Sequence, residues 1–204
     1  MRTRPDIEDL LERDEAFRVV VADRGPLPRS RTTPVKERFA FLLRTVSYQL
    51  LAGAAANTIH TRVVERLGEV TPERVLAVGA PTLREAGLST TKAETMVRLA
   101  EATLSGRLRP ETHGRRSDAE VVTEITAVKG LGPWSAQMYL MNCLARADVW
   151  PAGDYGVRVG WSLLHELPET ISERDLRRSA DHLTGLRTLA ARYCWAEVDR
   201  RRER

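Results

Sequence analysis

The chain has 204 residues, of which 42% are hydrophobic and 29% charged, so it can form one sizeable hydrophobic core or two small lobes. Its formal net charge of +4 permits a nucleic-acid partner but does not require one. No apolar run is as long as a membrane span, and no signal peptide is predicted at the N-terminus. The two cysteines, Cys143 and Cys194, fall within helical patterns, which predicts buried, reduced thiols and a cytoplasmic protein.

Almost every segment in the first half of the chain has the 3.6-residue period of an amphipathic helix. One helix is predicted between Ile7 and Val21 and a long one over about residues 36–51, and the pattern resumes after Gly53 as far as Gly68. Shorter helices follow, delimited by Thr71 and Pro72, by Pro81 and Gly87, by Lys92 and Gly106, and by a capping box from Ser117 to Glu120.

The C-terminal part of the chain is also predicted to be helical. One helix begins after Asp154 and ends near Pro168, and Ser172 caps another. A final helix follows Gly185, and residues 199–204 are expected to be a solvated or frayed tail. No convincing strand is found, so the predicted fold class is all-α.

The most informative stretch is Lys129-Gly130-Leu131-Gly132-Pro133-Trp134. The glycines allow a tight turn, and proline is suited to the first position of a helix. The amides of Gly130, Gly132 and the first helical turn are then expected to point outward as a phosphate site. Two helices joined by such a hairpin can grip a nucleic-acid backbone without reading its sequence. An ordinary turn between two helices is the alternative.

Asp154 follows this hairpin after a further helix and a Pro151-Ala152-Gly153 turn. Judged on the residues alone, Asp154 is predicted to be the N-cap of the helix that begins at Tyr155. An N-cap role would also aim the carboxylate.

The segments 129–136 and 148–158 together resemble the helix–hairpin–helix–Gly/Pro–Asp superfamily of DNA glycosylases, and most closely its alkylbase (3-methyladenine) DNA glycosylase II branch. Bifunctional members of the superfamily have a nucleophilic lysine just after the hairpin, where this chain has Trp134. Members with an iron–sulfur cluster need four C-terminal cysteines, and this chain has only two cysteines. The resemblance therefore implies a monofunctional enzyme without a metal or cofactor.

The resemblance also implies an architecture and a partner. The expected fold has two helical lobes, one formed by residues 36–154 and the other by residues 1–35 with 155–204, and it lacks the N-terminal β domain of the bacterial prototype. The expected partner is double-stranded DNA that contains a damaged base, and the protein is expected to be a monomer.

Site residues follow from the resemblance, position by position. Asp154 is the predicted catalytic carboxylate, because departure of a base leaves an oxocarbenium-like sugar that a fixed negative charge stabilises. An electron-poor alkylated base favours aromatic neighbours, and the predicted pocket residues are Trp134, Trp195, Met138, Trp150 and Tyr155. The predicted DNA-binding residues are Gly130, Gly132, Trp134, Lys129, Gln49, Leu50 and Arg158. Core filling is the alternative for each aromatic residue and for Leu50.

Three functions remain open from the sequence. The first is excision of alkylated purines, and the second is excision of another lesion, such as a deaminated or mismatched base. The third is a non-enzymatic protein that binds bent or damaged DNA. Tyr48 and Met138 depart from the residues usual in the family, so they are the positions at which a base pocket could be reshaped or blocked.

Overall fold

The computed structural model describes residues 4–49 and 53–203. Within them the α-helices are Pro5–Arg13 (α1), Arg18–Arg24 (α2), Arg38–Tyr48 (α3), Gly53–Leu67 (α4), Pro72–Glu85 (α5), Thr90–Leu104 (α6), Asp118–Thr126 (α7), Pro133–Asn142 (α8), Tyr155–Leu164 (α9), Glu173–Ser179 (α10) and Arg187–Arg202 (α11). No strand occurs in these residues, so the all-α prediction is confirmed. None of the described helices is both long and apolar enough to cross a membrane.

The chain divides into two compact units, residues 31–144 and residues 1–30 with 145–204. These boundaries differ from the predicted lobes at both junctions. Residues 31–35 belong to the central unit, where the amide of Thr33 donates to the carbonyl of Cys143 at 2.8 Å. Residues 145–154 belong to the terminal unit, because the amide of Val149 donates to Thr188 Oγ1 at 3.0 Å. Asp154 is therefore part of the unit built from both termini.

The central unit is a helical bundle of α3 to α8. Its fully buried apolar side chains come from every one of these helices: Leu42, Leu43, Val46, Val63, Leu67, Val75, Leu83, Met96, Leu99, Val121, Ile125 and Tyr139. A buried polar group, His113, lies beside Tyr139 Oη and Glu124 Oε1, at 3.1 Å from each. Burial lowers the pKa of His113 despite the opposing effect of Glu124, so the imidazole is held neutral. This network fixes α7 and α8, which flank the glycine hairpin.

The terminal unit combines α1 and α2 with α9 to α11. Ile7, Leu10, Phe17 and Val20 from the N-terminal segment are completely buried. The single helix predicted from Ile7 to Val21 is wrong. The helix stops at Asp14, whose backbone is extended and whose carboxylate accepts from the amide of Ala16, so that a new helical start follows.

Residues 199–202, predicted to be a solvated or frayed tail, are helical, and Asp199, Arg201 and Arg202 are exposed as a solvated tail would be, whereas Arg200 is not. α11 continues to Arg202, and Arg200 is only 5% exposed. Its guanidinium donates to both carboxylate oxygens of Glu197, at 2.6 and 2.7 Å, and Arg201 binds the same carboxylate. A buried bidentate pair can hold a helix end that charge alone would leave in solvent. The run of arginines conceals this pairing at the level of sequence.

Candidate functional site

The hairpin of the central unit joins α7 to α8. Gly132 is the N-cap of α8 and supplies no side-chain cap, and Pro133 takes the first helical position as predicted. The first intrahelical bond runs from the amide of Ala136 to the carbonyl of Gly132 at 3.2 Å. A helix start without a side-chain cap, at the positive end of the helix dipole, is suited to an anionic group.

The two hairpin positions are occupied by glycine for different structural reasons. Gly130 has a φ of +102°, and a Cβ added there would overlap the side chain of Thr95. Gly132 has a φ of −106°, which any residue adopts, and a Cβ there would meet no described atom within 4 Å. The fold therefore requires Gly130. Gly132 instead leaves open space above the backbone, which a bulky ligand could approach closely.

Gln49, predicted to contact DNA, supports this hairpin from the end of α3. Its Nε2 donates to the carbonyl of Gly130 and to Ser135 Oγ, both at 3.0 Å. The preceding turn is held by Lys92, whose Nζ donates to the carbonyl of Ser47 at 3.0 Å, and burial lowers the pKa of this amine. Sequence reasoning missed Lys92, which has no motif to mark it. Leu50, the other residue predicted at the lesion edge, lies outside the described residues.

Asp154 is the N-cap of α9 in the terminal unit, as the residues alone predicted. Its Oδ1 accepts from the amide of Val157 and from the indole Nε1 of Trp195, both at 2.9 Å. One bond comes from the helix that Asp154 caps, and the other comes from α11, so the carboxylate is oriented by two elements at once. Asp154 as a residue is partly exposed.

Two glycines on α9 allow Trp195 to reach Asp154. A Cβ on Gly156 would lie 2.9 Å from Trp195 Cδ1, and a Cβ on Gly160 would overlap the Cys194 carbonyl. The axes of α9 and α11 therefore approach closely where Trp195 extends over the first turn of α9. Sequence reasoning did not identify Gly156 or Gly160. Their four-residue spacing on one helix face was the available signal.

The remaining aromatic and apolar pocket candidates lie in different environments. Tyr155, next to Asp154, is 69% exposed, and Trp134 is partly buried at the second position of α8. Met138 is buried on α8. Trp150 is buried in the terminal unit, where its Nε1 donates to the carbonyl of Leu176 at 2.9 Å. Burial favours a packing role for both residues over direct contact with a base, and for Trp150 the bond to Leu176 favours it further.

The predicted basic contacts and the unusual Tyr48 can also be placed. Lys129 is exposed on the hairpin. Arg158 is turned toward its own unit, where Nε donates to the carbonyl of Ile171 at 2.7 Å. Tyr48 Oη donates to Asn57 Oδ1 at 3.2 Å, and Arg44 lies over the Tyr48 ring at 4.5 Å. Tyr48 is thus held by α3 and α4 of its own unit.

The donor groups of the site do not suggest a metal. Across residues 4–49 and 53–203 there is no group of three or more His, Cys, Asp or Glu side chains that could hold a metal ion. The central unit therefore offers an uncapped helix start for an anion, and the terminal unit offers an oriented carboxylate for a developing positive charge.

Residues 43–184 match the family model described as "HhH-GPD superfamily base excision DNA repair protein". The chain is 32% identical to DNA-3-methyladenine glycosylase 1 of Schizosaccharomyces pombe, over 89% of this chain and 82% of that protein. Its fold is similar to that of the S. pombe 3-methyladenine DNA glycosylase (Mag1) in complex with abasic DNA, with a TM-score of 0.87, 32% identity and coverage of 94% and 95%. It is also similar to a DNA-3-methyladenine glycosidase from Bacillus halodurans, with a TM-score of 0.80, 28% identity and coverage of 100% and 95%.

Proposed function

Because this chain belongs to the HhH-GPD superfamily of base excision DNA repair proteins, we propose that it is a monofunctional DNA glycosylase that removes alkylated purines from duplex DNA. The observation that carries the proposal is Asp154, whose carboxylate is oriented by both the α9 amide of Val157 and the Trp195 indole. The similarity of this chain to proteins named as 3-methyladenine glycosylases supports alkylated purines as the substrate class.

Binding begins with the DNA backbone. A base inside a duplex is inaccessible, so the nucleotide must be extruded at a cost of a few kcal/mol. We assign the phosphate contact to the uncapped start of α8, with Gly132 allowing close approach and exposed Lys129 adding positive charge. Gln49 acts through the hairpin, because its amide fixes the Gly130 carbonyl and the Ser135 hydroxyl.

Asp154 then acts on the sugar. The bond from C1′ to the purine nitrogen breaks, and its electron pair leaves with the base. An alkylated purine already carries positive charge, so it departs without strong acid catalysis. The Asp154 carboxylate stabilises the developing oxocarbenium ion and can accept a proton from the water that forms the new bond to C1′. The products are a free purine and an abasic site.

The base itself is proposed to stack on aromatic rings. Exposed Tyr155, next to Asp154 in the terminal unit, is the candidate that its surroundings support best, and the role of Trp134 stays a prediction. Trp195 contributes mainly by positioning Asp154. The predicted cytoplasmic location stays a prediction, supported by the two buried free thiols of Cys143 and Cys194.

The direct test is incubation of the purified protein with methylated duplex DNA, followed by chromatography of the released bases. Release of free alkylated purines is expected, and no strand nicking should accompany it, since Trp134 cannot form a Schiff base with the sugar. Borohydride trapping on DNA would contradict the monofunctional mechanism. Release from deaminated DNA alone would reassign the lesion. Binding to abasic DNA without release of any base would identify a non-catalytic damage-binding protein.

A further inference from the structure

The terminal unit contains a basic cleft of about 410 Å³. Its walls come from the chain's N-terminal segment, from the loop that follows Leu144, and from the start of α11. Among the residues that the structure describes, its lining includes the arginines Arg4, Arg29, Arg146 and Arg192 and one carboxylate, Asp6. The proposed glycosylase reaction makes no use of any of these residues.

The Asp6 carboxylate is already paired with an arginine of the cleft. Asp6 forms a bidentate pair with Arg4, whose Nη1 also donates to the carbonyl of Leu27 at 2.6 Å. The charge of Asp6 is therefore matched by Arg4, and the guanidinium groups of Arg29 and Arg192 add positive charge.

Arg192 reaches the cleft from α11 and contacts a hydroxyl group there. It is partly buried, and its Nη1 donates to Ser30 Oγ at 3.3 Å. Burial, followed by the charge of Arg4, lowers the pKa of Arg192. Arg29 is exposed and forms no salt bridge within the part of the chain that the structure describes. A charged guanidinium that is held near like charges is stabilised by an anion.

The start of α11 forms one wall of the cleft. Gly185, Leu186, Thr188 and Leu189 line it where the 16-residue helix α11 begins. The amides at this helix start are occupied, because Gly185 donates to Asp148 Oδ1 at 2.8 Å and Thr188 donates to the carbonyl of Ala147 at 3.1 Å. Binding in the cleft therefore depends on side chains, and guanidinium forks and a serine hydroxyl are groups that bind phosphate oxygens in proteins.

We propose that this arginine cleft, lined by Arg4, Arg29, Arg146 and Arg192, binds a phosphate group as a second anion site apart from the hairpin. The phosphate is either a free anion or a phosphodiester of the DNA backbone, since both present the same oxygens to the guanidinium groups. The proposal does not depend on glycosylase activity, because the cleft contains neither Asp154 nor a hairpin residue.

The first experiment measures thermal unfolding in sodium phosphate and in sodium chloride of equal ionic strength. Phosphate should raise the Tm of the wild-type protein by about 2–4 °C relative to chloride, because a ligand that binds only the folded state stabilises it. Arg192→Gln and Arg29→Gln should each lose most of this gain. Arg29 is exposed, so its variant keeps the test valid if Arg192→Gln folds poorly.

Arg202→Gln is the matched control, because Arg202 is an exposed arginine on the same helix and outside the cleft. It should retain the full phosphate effect. Equal phosphate stabilisation of the wild type and both cleft variants, or no stabilisation of the wild type, would overturn the proposal. Loss of the effect in Arg202→Gln as well would overturn it in favour of a general charge effect.

The second experiment identifies the source of the phosphate by measuring affinity for undamaged duplex DNA at several salt concentrations. If the cleft holds a backbone phosphate, Arg192→Gln should reduce the slope of log K against log salt by about one, and Arg202→Gln should not. If the source is a free anion, the slope should stay unchanged while the phosphate effect on Tm is lost. Neither measurement requires base release, so failure of the glycosylase proposal remains distinguishable.

Discussion

At the scale of single residues, Asp154 combines a structural role with a proposed chemical one. Its Oδ1 caps α9 and accepts the Trp195 indole N–H, so the carboxylate is held before any substrate arrives. Preorganisation of this kind is what makes an electrostatic contribution to catalysis large, because no reorientation is needed during the reaction.

Asp154→Asn is expected to lower the rate of base release by on the order of 10²-fold or more. Asparagine keeps an oxygen that can cap α9 and accept from Trp195, so removal of the negative charge is the main change. DNA affinity and the free energy of unfolding should stay close to the wild-type values. Base release is measured under single-turnover conditions, and unfolding in urea. Wild-type rates in the variant would remove Asp154 from the mechanism.

Trp195→Phe tests the positioning role of the indole. The variant keeps an aromatic ring but loses the donor to Asp154, and a hydrogen bond to a charged group contributes about 1.5–3 kcal/mol. Base release should therefore slow by roughly tenfold or more. Trp150→Phe is the matched change, since it removes the N–H that donates to Leu176. It should lower the free energy of unfolding by about 1 kcal/mol and leave the rate unchanged. If Trp150→Phe instead slowed base release and left the free energy of unfolding unchanged, Trp150 would be a base-contacting residue.

At the scale of secondary-structure elements, the hairpin and the crossing of α9 with α11 depend on glycines for different reasons. Gly130 is required by its positive φ and by the Thr95 side chain, and Gly160 by the Cys194 carbonyl. At Gly132 the φ is negative and no described atom lies within 4 Å of an added Cβ, so neither reason applies there. A glycine that the fold does not need is best explained by what approaches it from outside.

The hairpin glycines give a matched pair of variants. Gly130→Ala should lower the free energy of unfolding by about 1–3 kcal/mol, because alanine is strained at positive φ and its Cβ would overlap Thr95. Gly132→Ala should change stability by less than about 0.5 kcal/mol and should weaken DNA binding several-fold. Urea unfolding and fluorescence anisotropy with duplex DNA measure the two effects. If Gly132→Ala binds DNA like the wild type, the proposed phosphate contact there is wrong.

At the scale of the whole chain, the terminal unit is closed by contacts between its two ends. Asp14 Oδ2 lies 3.0 Å from His165 Nε2 and 3.2 Å from His182 Nε2, which ties the N-terminal segment to the C-terminal helices. His165 Nδ1 is 2.9 Å from the carbonyl of Trp161, and the imidazole stacks on the Trp161 ring at 4.0 Å. Both ring nitrogens of His165 face acceptors, an arrangement that only the imidazolium form satisfies completely.

This cluster predicts a pH dependence of stability. Burial acts to lower the pKa of His165, but its bonds to Asp14 and Trp161 and the charge of Asp14 outweigh burial and raise it. Burial acts to raise the pKa of Asp14, but the contacts with the two histidines outweigh burial and lower it. The stabilisation by His165 is therefore complete below its unfolded pKa of about 6.5 and is lost as pH rises through the folded value. The Asp14 contribution is lost only as pH falls through its own lowered pKa.

The variant His165→Gln isolates this effect. The difference in free energy of unfolding between the wild type and the variant should be larger at about pH 5.5 than at about pH 8.5, as measured in urea. The difference is the appropriate readout, because the lowered pKa of His113 acts on the wild type and the variant alike and in the opposite direction. A difference that does not change with pH would show that His165 stays neutral.

The sequence by itself determined the all-α class, the capping box at Ser117, the start of α8 at Pro133 and the N-cap at Asp154, because periodicity and capping are local properties of the chain. It also indicated the family, through residues 129–136 and 148–158. Only the tertiary structure decided the bond from Trp195 to Asp154, the support of the hairpin by Gln49, the burial of Arg200 and the arginine cleft. The contacts of Trp195 and Gln49 and the walls of the cleft join different elements, and the Glu197–Arg200 pair, although it lies within α11, is buried by the elements packed against that helix. Composition and period do not encode such choices, since they depend on how closely the helices approach one another.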